Sequence, residues 1–177
     1  MEISSAIHTV KRTVELVFVQ EDSIGNLQVL ASERGIGKHG QDLTGLPGGH
    51  SEAYVEALGR PETRGETAER EAEEELGKEF AALVRAALAA GKVAVVAAID
   101  DVRKDSFYDH LALIFPTPLG LEPDPNAPDA HEHTNLRWRP ISELAAGSAA
   151  QLYPPHYQQI CAFLAGDHRY RQIQGIQ

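Results

Sequence analysis

Residues 62–77, ETRGETAEREAEEELG, decide the reading of this chain. From Glu66 to Leu76 the segment consists of strong helix formers, with Ala68, Ala72 and Leu76 at i, i+4 and i+8, and Gly77 follows as a C-terminal cap. The spacing predicts a helix over 66–76 whose apolar stripe packs on a core. At about 100° of rotation per residue, Glu71, Glu74 and Glu75 fall within an arc of roughly 100° beside that stripe. Like charges at these spacings repel, so three carboxylates on one helical edge cost stability unless a cation neutralises them. Carboxylate oxygens suit the hard ions Mg²⁺ or Mn²⁺, which also bind substrate phosphates. Arg70 lies one turn before Glu74 and is placed to hold that carboxylate, whereas Glu69 and Glu73 point away, to solvent. Taken alone, a glutamate-rich helix is most simply a solvated face, and the flanking sequence argues against that.

The loop before the helix, LPGGHSE at 46–52, and the helix itself together resemble the Nudix box. That pattern is Gly, five residues, Glu, seven residues, then Arg-Glu-aliphatic-any-Glu-Glu-any-Gly-aliphatic. Glu62 stands seven intervening residues before Arg70, and Arg70, Glu71, Ala72, Glu74, Glu75 and Gly77 occupy their motif positions. Two features depart from it. Twelve residues separate Gly49 from Glu62, an insertion of about seven within AYVEALGRP after Glu52, and Lys78 replaces the final aliphatic residue. Gly48, Gly49 and Glu52 still match the family's GGxxE. The later segment EHTNLRWRPISEL is similar to the late Nudix strand and the helix start after it, so the resemblance covers roughly residues 12–147.

The resemblance implies an α/β fold of the α/β/α sandwich type with a mixed β-sheet, the catalytic helix lying near residues 66–77. It implies hydrolysis of a nucleoside diphosphate linked to another group, by attack of water on a pyrophosphate phosphorus. In that reading Glu71, Glu74 and Glu75 bind one to three divalent ions, Mg²⁺ or Mn²⁺, and Arg70 orients Glu74. The proton acceptor is either a box glutamate or Glu132, six positions before Trp138, where MutT-type enzymes carry a loop glutamate as general base. Arg34, Gly48, Gly49, Glu52 and Glu62 are candidates for substrate contact. The GGHSE turn and compact size look like a nucleoside triphosphate pyrophosphatase, ahead of an ADP-ribose or nucleotide-sugar pyrophosphatase. Nudix domains that only sense a nucleotide usually lose box glutamates, and all three stand here.

The rest of the chain fits this frame. With 177 residues, 42% hydrophobic and 24% charged, a single globular domain over 1–177 is expected. A formal charge of -10 argues against a nucleic-acid polymer as partner, since such binders carry a basic stripe, but a small nucleotide bridged by a cation is compatible with it. Cys161 has no cysteine to pair with, no apolar run reaches the roughly 20 residues of a membrane span, and a cytoplasmic protein is expected. Runs 12–20 and 27–32 read as a hairpin, and 33–50, with its six glycines, as loop or brief strand. KEFAALVRAALAAG reads as a second helix, 92–99, 107–115 and NLRWRPI as strands, ISELAAG as a short helix, and 155–166 as a helix packing on the domain or on a second copy. His50, His131 and His133 read as loop histidines ahead of acid–base groups, Tyr108 as a core aromatic ahead of a base-stacking one, and Arg34 and Lys38 as exposed cations, with phosphate contact the alternative.

Overall fold

In β1 (Thr9–Glu21), Val14, Leu16 and Phe18 face one side of the sheet while Val17 and Val19 face the other, as the twofold period of a strand requires. The computed structural model describes residues 9–34, 44–103 and 106–146. Lys38 and the helix expected at 155–166 lie outside them. The remaining elements are β2 (Leu27–Arg34), β3 (Thr44–Gly45), β4 (Gly48–His50), α1 (Arg64–Leu76), α2 (Lys78–Ala89), β5 (Ala94–Arg103), β6 (Ser106–Pro116), β7 (His133–Pro140) and α3 (Ile141–Ala146). The sheet order is β3-β2-β1-β6-β5, with β4 beside β1 and β7 beside β2. β1 and β6 run parallel, and β1–β2 and β5–β6 antiparallel, so the sheet is mixed.

Two cores cover the two faces. On one, Ala68, Ala72 and Leu76 of α1 and Phe80 and Val84 of α2 pack on Val14, Leu16, Phe18, Leu30, Leu113 and Phe115. Phe18 is central there, edge-on to Phe80 with centroids 4.9 Å apart and stacked with Phe115 at 5.4 Å. On the other, Ile141 and Leu144 of α3 join Val17, Val19, Val29, Ala31, Ala112 and Ile114. This is the expected α/β/α sandwich. Among the described residues no helix is long and apolar enough to cross a membrane.

The structure shifts several expected boundaries. The helix expected from Glu66 begins at Arg64, because Thr63 caps it: its hydroxyl accepts the Glu66 amide, while the Glu66 carboxylate accepts the Thr63 amide at 2.8 Å. Arg64 then reaches across to the Thr13 carbonyl at 2.8 Å and to Asp109 Oδ1 at 2.5 Å, tying the helix start to β1 and β6. At the other end Gly77, at φ 97°, ends α1 and starts α2 without a spacer. A Cβ there would sit 2.7 Å from Asp124 Cβ, so the chain needs glycine for closeness as well as conformation. Lys78 is exposed on the first turn of α2, which explains how a charge fits where an aliphatic was expected. Glu69, expected in solvent, pairs with Arg85 of α2. β7 begins at His133, earlier than NLRWRPI suggested, because residues 133–134 continue the pairing with β2 beyond a bulge.

The capping box yields a pH prediction. Hydrogen bonds from Arg60 and Thr63 hold the Glu66 carboxyl down to about 2, below its ordinary 4.5. A depressed carboxyl lends stability that is complete above its unfolded value and is lost as pH falls through the folded one. The difference in Tm between wild type and Glu66→Gln should therefore be constant from about pH 7 to pH 5 and shrink progressively below about pH 4.5. Thermal melts across that range check it, and a gap that widens in acid contradicts it.

Candidate active site

The site grows from the contact between α1 and β4. Gly48 and Gly49 lie opposite Glu15 and Val14 on β1, which brings the Gly-Gly strand beneath the helix. A Cβ on Gly48 would collide with the Val14 carbonyl, and its φ of 133° already excludes most side chains. A Cβ on Gly49 would run into the Glu71 carboxylate. The two glycines thus have different reasons: Gly48 for backbone packing, Gly49 to leave space for one carboxylate.

Arg70 organises the edge. Its Nε and Nη2 donate to Glu62 at 3.0 and 3.1 Å, Nη1 to Glu74 at 2.7 Å, and Nη2 also to the His50 carbonyl at 2.8 Å. Nη1 lies 2.9 Å from Glu71 Oε1 as well. Burial works against the charge on Arg70, but Glu62, Glu71 and Glu74 outweigh it and raise its pKa above the ordinary value. The expected grip on Glu74 is present, and the same guanidinium also holds Glu62 and Glu71.

Glu62 is buried, and its carboxylate accepts from Arg70, from Thr67 Oγ1 at 3.0 Å and from the Glu52 amide at 2.9 Å. Burial alone would raise its pKa, yet these bonds keep it below 4.5. The Glu62 amide in turn donates to the Glu52 carbonyl at 3.0 Å. Residues 53–61 therefore leave and rejoin the chain at a closed neck. Within them Val55 and Arg60 form a bridge, with Gly59 at φ 64° turning the chain back. Residues 53–61, where the resemblance implies an insertion, form a miniature hairpin outside the Glu62–Arg70 contact. Glu52 is exposed and supplies its backbone to this neck.

Glu71 and Glu75 are both buried at 9% and 4% exposure, whereas Glu74 is about one-third exposed. Burial pushes the Glu71 carboxyl up to about 7; Arg70 pulls against this, and the charges of Glu75 and Glu74 add to it. Glu75 Oε2 accepts the Gly48 amide at 2.8 Å, and its Oε1 lies 3.1 Å from His133 Nε2. His133, expected in a loop, is on β7 with its ring buried, and Nδ1 lies 2.6 Å from Ser32 Oγ. The sequence offered no signal for this, since only the β2–β7 pairing brings Ser32 and His133 together.

The segment before β7 docks on the C-terminal end of α1. The Asp124 amide donates to the Leu76 carbonyl at 2.9 Å and the Asp129 amide to the Glu74 carbonyl at 2.6 Å. A 3₁₀ turn, Ala130–Glu132, follows, and ligand atoms of Asp129 before it and of His131 and Glu132 within it lie within 4.8 Å of one another. Glu132 thus stands on an acidic turn anchored to the box helix. Arg34 ends β2 opposite His133. His50 is exposed on β4 and T-shaped to Tyr108 at 6.0 Å, and Tyr108 stacks on His110 at 5.6 Å, so Tyr108 is partly buried and not a core residue.

Whether a divalent ion fits can be judged from the donors themselves. Glu71, buried and with its pKa near neutrality, shares Arg70 with Glu62 and Glu74, and the buried Glu75 adds a fourth carboxylate that Arg70 does not pair, so negative charge exceeds positive within the edge. The donors are oxygens, the set that Mg²⁺ and Mn²⁺ prefer, and Gly49 keeps the space at Glu71 clear. The residues fit such an ion.

A mixed sheet between helices, with a box helix turning its carboxylate edge onto a Gly-Gly strand, defines one class of protein, the Nudix fold. The chain belongs to the NUDIX domain family, which it matches over residues 10–163, and it is a Nudix hydrolase. No curated protein matches it in sequence. Among solved structures it is similar to the MutT protein of Methanosarcina mazei Go1, at 13% identity and TM-score 0.59 over 94% of this chain and 96% of that one. It is also similar to the NUDIX domain of Shewanella oneidensis NrtR complexed with ADP ribose, at 16% identity and TM-score 0.60 over 93% of each chain. A C. elegans Ap4A hydrolase shares 16% identity and TM-score 0.50 over 88% of this chain and 98% of its own. At these identities the likeness is one of fold.

The two glycines separate fold from site. Gly48→Ala should lower Tm by several degrees, because its Cβ meets backbone that cannot yield, at a strained φ. Gly49→Ala meets only the end of a side chain, so it should leave Tm within about two degrees, yet displace Glu71 and weaken Mn²⁺ binding about tenfold. Thermal melts and Mn²⁺ titration by electron paramagnetic resonance check both; equal Mn²⁺ affinity in wild type and Gly49→Ala contradicts the second.

Proposed function

We propose that this Nudix hydrolase cleaves the pyrophosphate of a nucleoside diphosphate linked to a further group, with Mg²⁺ or Mn²⁺ held by Glu71, Glu74 and Glu75, and that nucleoside triphosphates are its first substrate class. The observation that carries the metal dependence is the burial of Glu71 and Glu75 beside Glu74, with Arg70 the cation shared by Glu71 and Glu74. A compact chain with a GGHSE turn favours triphosphates, and ADP-ribose or nucleotide sugars come second. A complete set of box glutamates favours turnover over sensing.

Glu71, Glu74 and Glu75 would hold the divalent ion, which when bound would supply neutralisation of phosphate charge and a lowered pKa for the attacking water. The chain's residues do the rest. Arg70 fixes Glu74 and Glu71 in place, and Glu62 fixes Arg70, so the carboxylates are set before substrate arrives. Gly49 leaves the space that the Glu71 carboxylate occupies, and Gly48 lets the strand pack on β1. Glu132 takes the proton from water: a carboxylate engaged by a metal loses basicity, so a glutamate outside the metal-binding edge, on the docked acidic turn, is the better acceptor. No covalent intermediate on the protein is needed.

Glu74→Gln and Glu75→Gln should each lower kcat at least a hundredfold, a barrier increase of about 2.7 kcal/mol, with the fold retained. Glu132→Gln should lower kcat about tenfold or more with KM little changed, and the deficit should shrink at high pH as hydroxide replaces the assisted water. Product release by purified protein from nucleoside triphosphates, ADP-ribose, dinucleoside polyphosphates, NADH and coenzyme A, with each metal, tests the substrate class. Wild-type kcat in both box variants overturns the assignment of the edge, and full activity in Glu132→Gln places the proton acceptor within the box.

A further inference from the structure

Glu75 is approached from the sheet by a residue that the catalytic reading leaves unused. His133 opens β7, its side chain is 5% exposed, and two groups flank its ring nitrogens. Ser32, fully buried on β2, lies 2.6 Å from Nδ1. Glu75 Oε1 lies 3.1 Å from Nε2, off the line of a good hydrogen bond, while Glu75 Oε2 is already taken by the Gly48 amide. Burying an imidazole whose polar edge is imperfectly satisfied costs stability that an apolar side chain would avoid, so its presence calls for a use. Direct ligation is the weaker reading, because among the described residues no third histidine or carboxylate joins Glu75 and His133 within 4.8 Å.

We propose that His133 is a positioning residue for Glu75: Ser32 holds the ring through Nδ1, and the Nε2 edge sets the carboxylate in the orientation in which it meets the divalent ion. In the tautomer where the Ser32 hydroxyl donates to Nδ1, the ring proton resides on Nε2, 3.1 Å from Oε1. Ser32 on β2, His133 on β7 and Gly48 on β4 then fix Glu75 from both oxygens, and the ion finds it already oriented. The proposal rests on the reading of Glu75 as a metal-binding carboxylate.

The test uses the full chain and Mn²⁺ alone, with binding read by electron paramagnetic resonance and Tm measured alongside. His133→Leu fills the ring's volume without a donor and should weaken Mn²⁺ binding about tenfold, within the range seen for residues that support metal ligands. His133→Gln, which restores an N–H near the Nε2 position, should recover most of that loss. KM for the nucleotide should stay within threefold in both. Where His133→Leu does not fold, Ser32→Ala, which keeps the ring but releases it, carries the test and should weaken Mn²⁺ binding severalfold. Wild-type affinity in the folded His133→Leu, or in Ser32→Ala where that variant is needed, overturns the proposal, as does a nitrogen hyperfine coupling to Mn²⁺ that shows His133 to be a direct ligand. Glu75→Gln separates the two readings: if it loses Mn²⁺ while His133→Leu does not, Glu75 binds metal without help from His133; if it binds as wild type does, the reading of Glu75 fails and the proposal with it.

Discussion

The guanidinium of Arg70 is the interaction on which the rest of the site depends. It joins Glu62 from the loop, the His50 carbonyl from β4, and Glu71 and Glu74 from its own helix. A planar group with five donors can serve several acceptors at fixed angles, which a lysine cannot. Three elements of chain, the loop, β4 and α1, are thereby held by a single side chain. Removing it would leave Glu62, Glu71 and Glu74 close together without the guanidinium that bonds all three.

That arrangement leaves the length of the 53–61 segment free of the site's geometry. Loop length by itself costs little, since closure entropy grows slowly with the number of residues. What matters is where the loop rejoins the structure, and the paired backbones of Glu52 and Glu62 fix this irrespective of the residues between them. Glu62 consequently keeps its distance from Arg70, and the box keeps its geometry although its linear spacing is broken.

The sheet contributes at longer range. Alternation along β1 sends Val14 toward α1 and Val17 toward α3, so the helix lies across the sheet with its carboxylate edge against β4. Pairing of β2 with β7 carries Ser32 and His133 to the same edge. Hydrogen bonds from Asp124 and Asp129 to the end of α1 bring the acidic turn of Glu132 alongside. Strand pairing, helix docking and loop anchoring thus converge on one helix turn.

Sequence alone determined what is periodic or local. The Ala68, Ala72, Leu76 stripe, the grouping of Glu71, Glu74 and Glu75, the reach of Arg70 to Glu74 and the turn character of Gly48-Gly49 follow from helix and turn geometry, which depends on near neighbours. The Nudix box spacing added the fold, because its residues are written in one short stretch. Tertiary structure decided everything that joins residues far apart in the chain: that Glu62 and not solvent faces Arg70, that Glu71 is buried enough for its carboxyl to rise to about 7, and that His133 leaves its loop for a strand. The physical reason is that burial and cross-strand pairing are set by which surfaces meet, and a carboxylate's charge or a histidine's partner is fixed by that environment and not by its sequence neighbours.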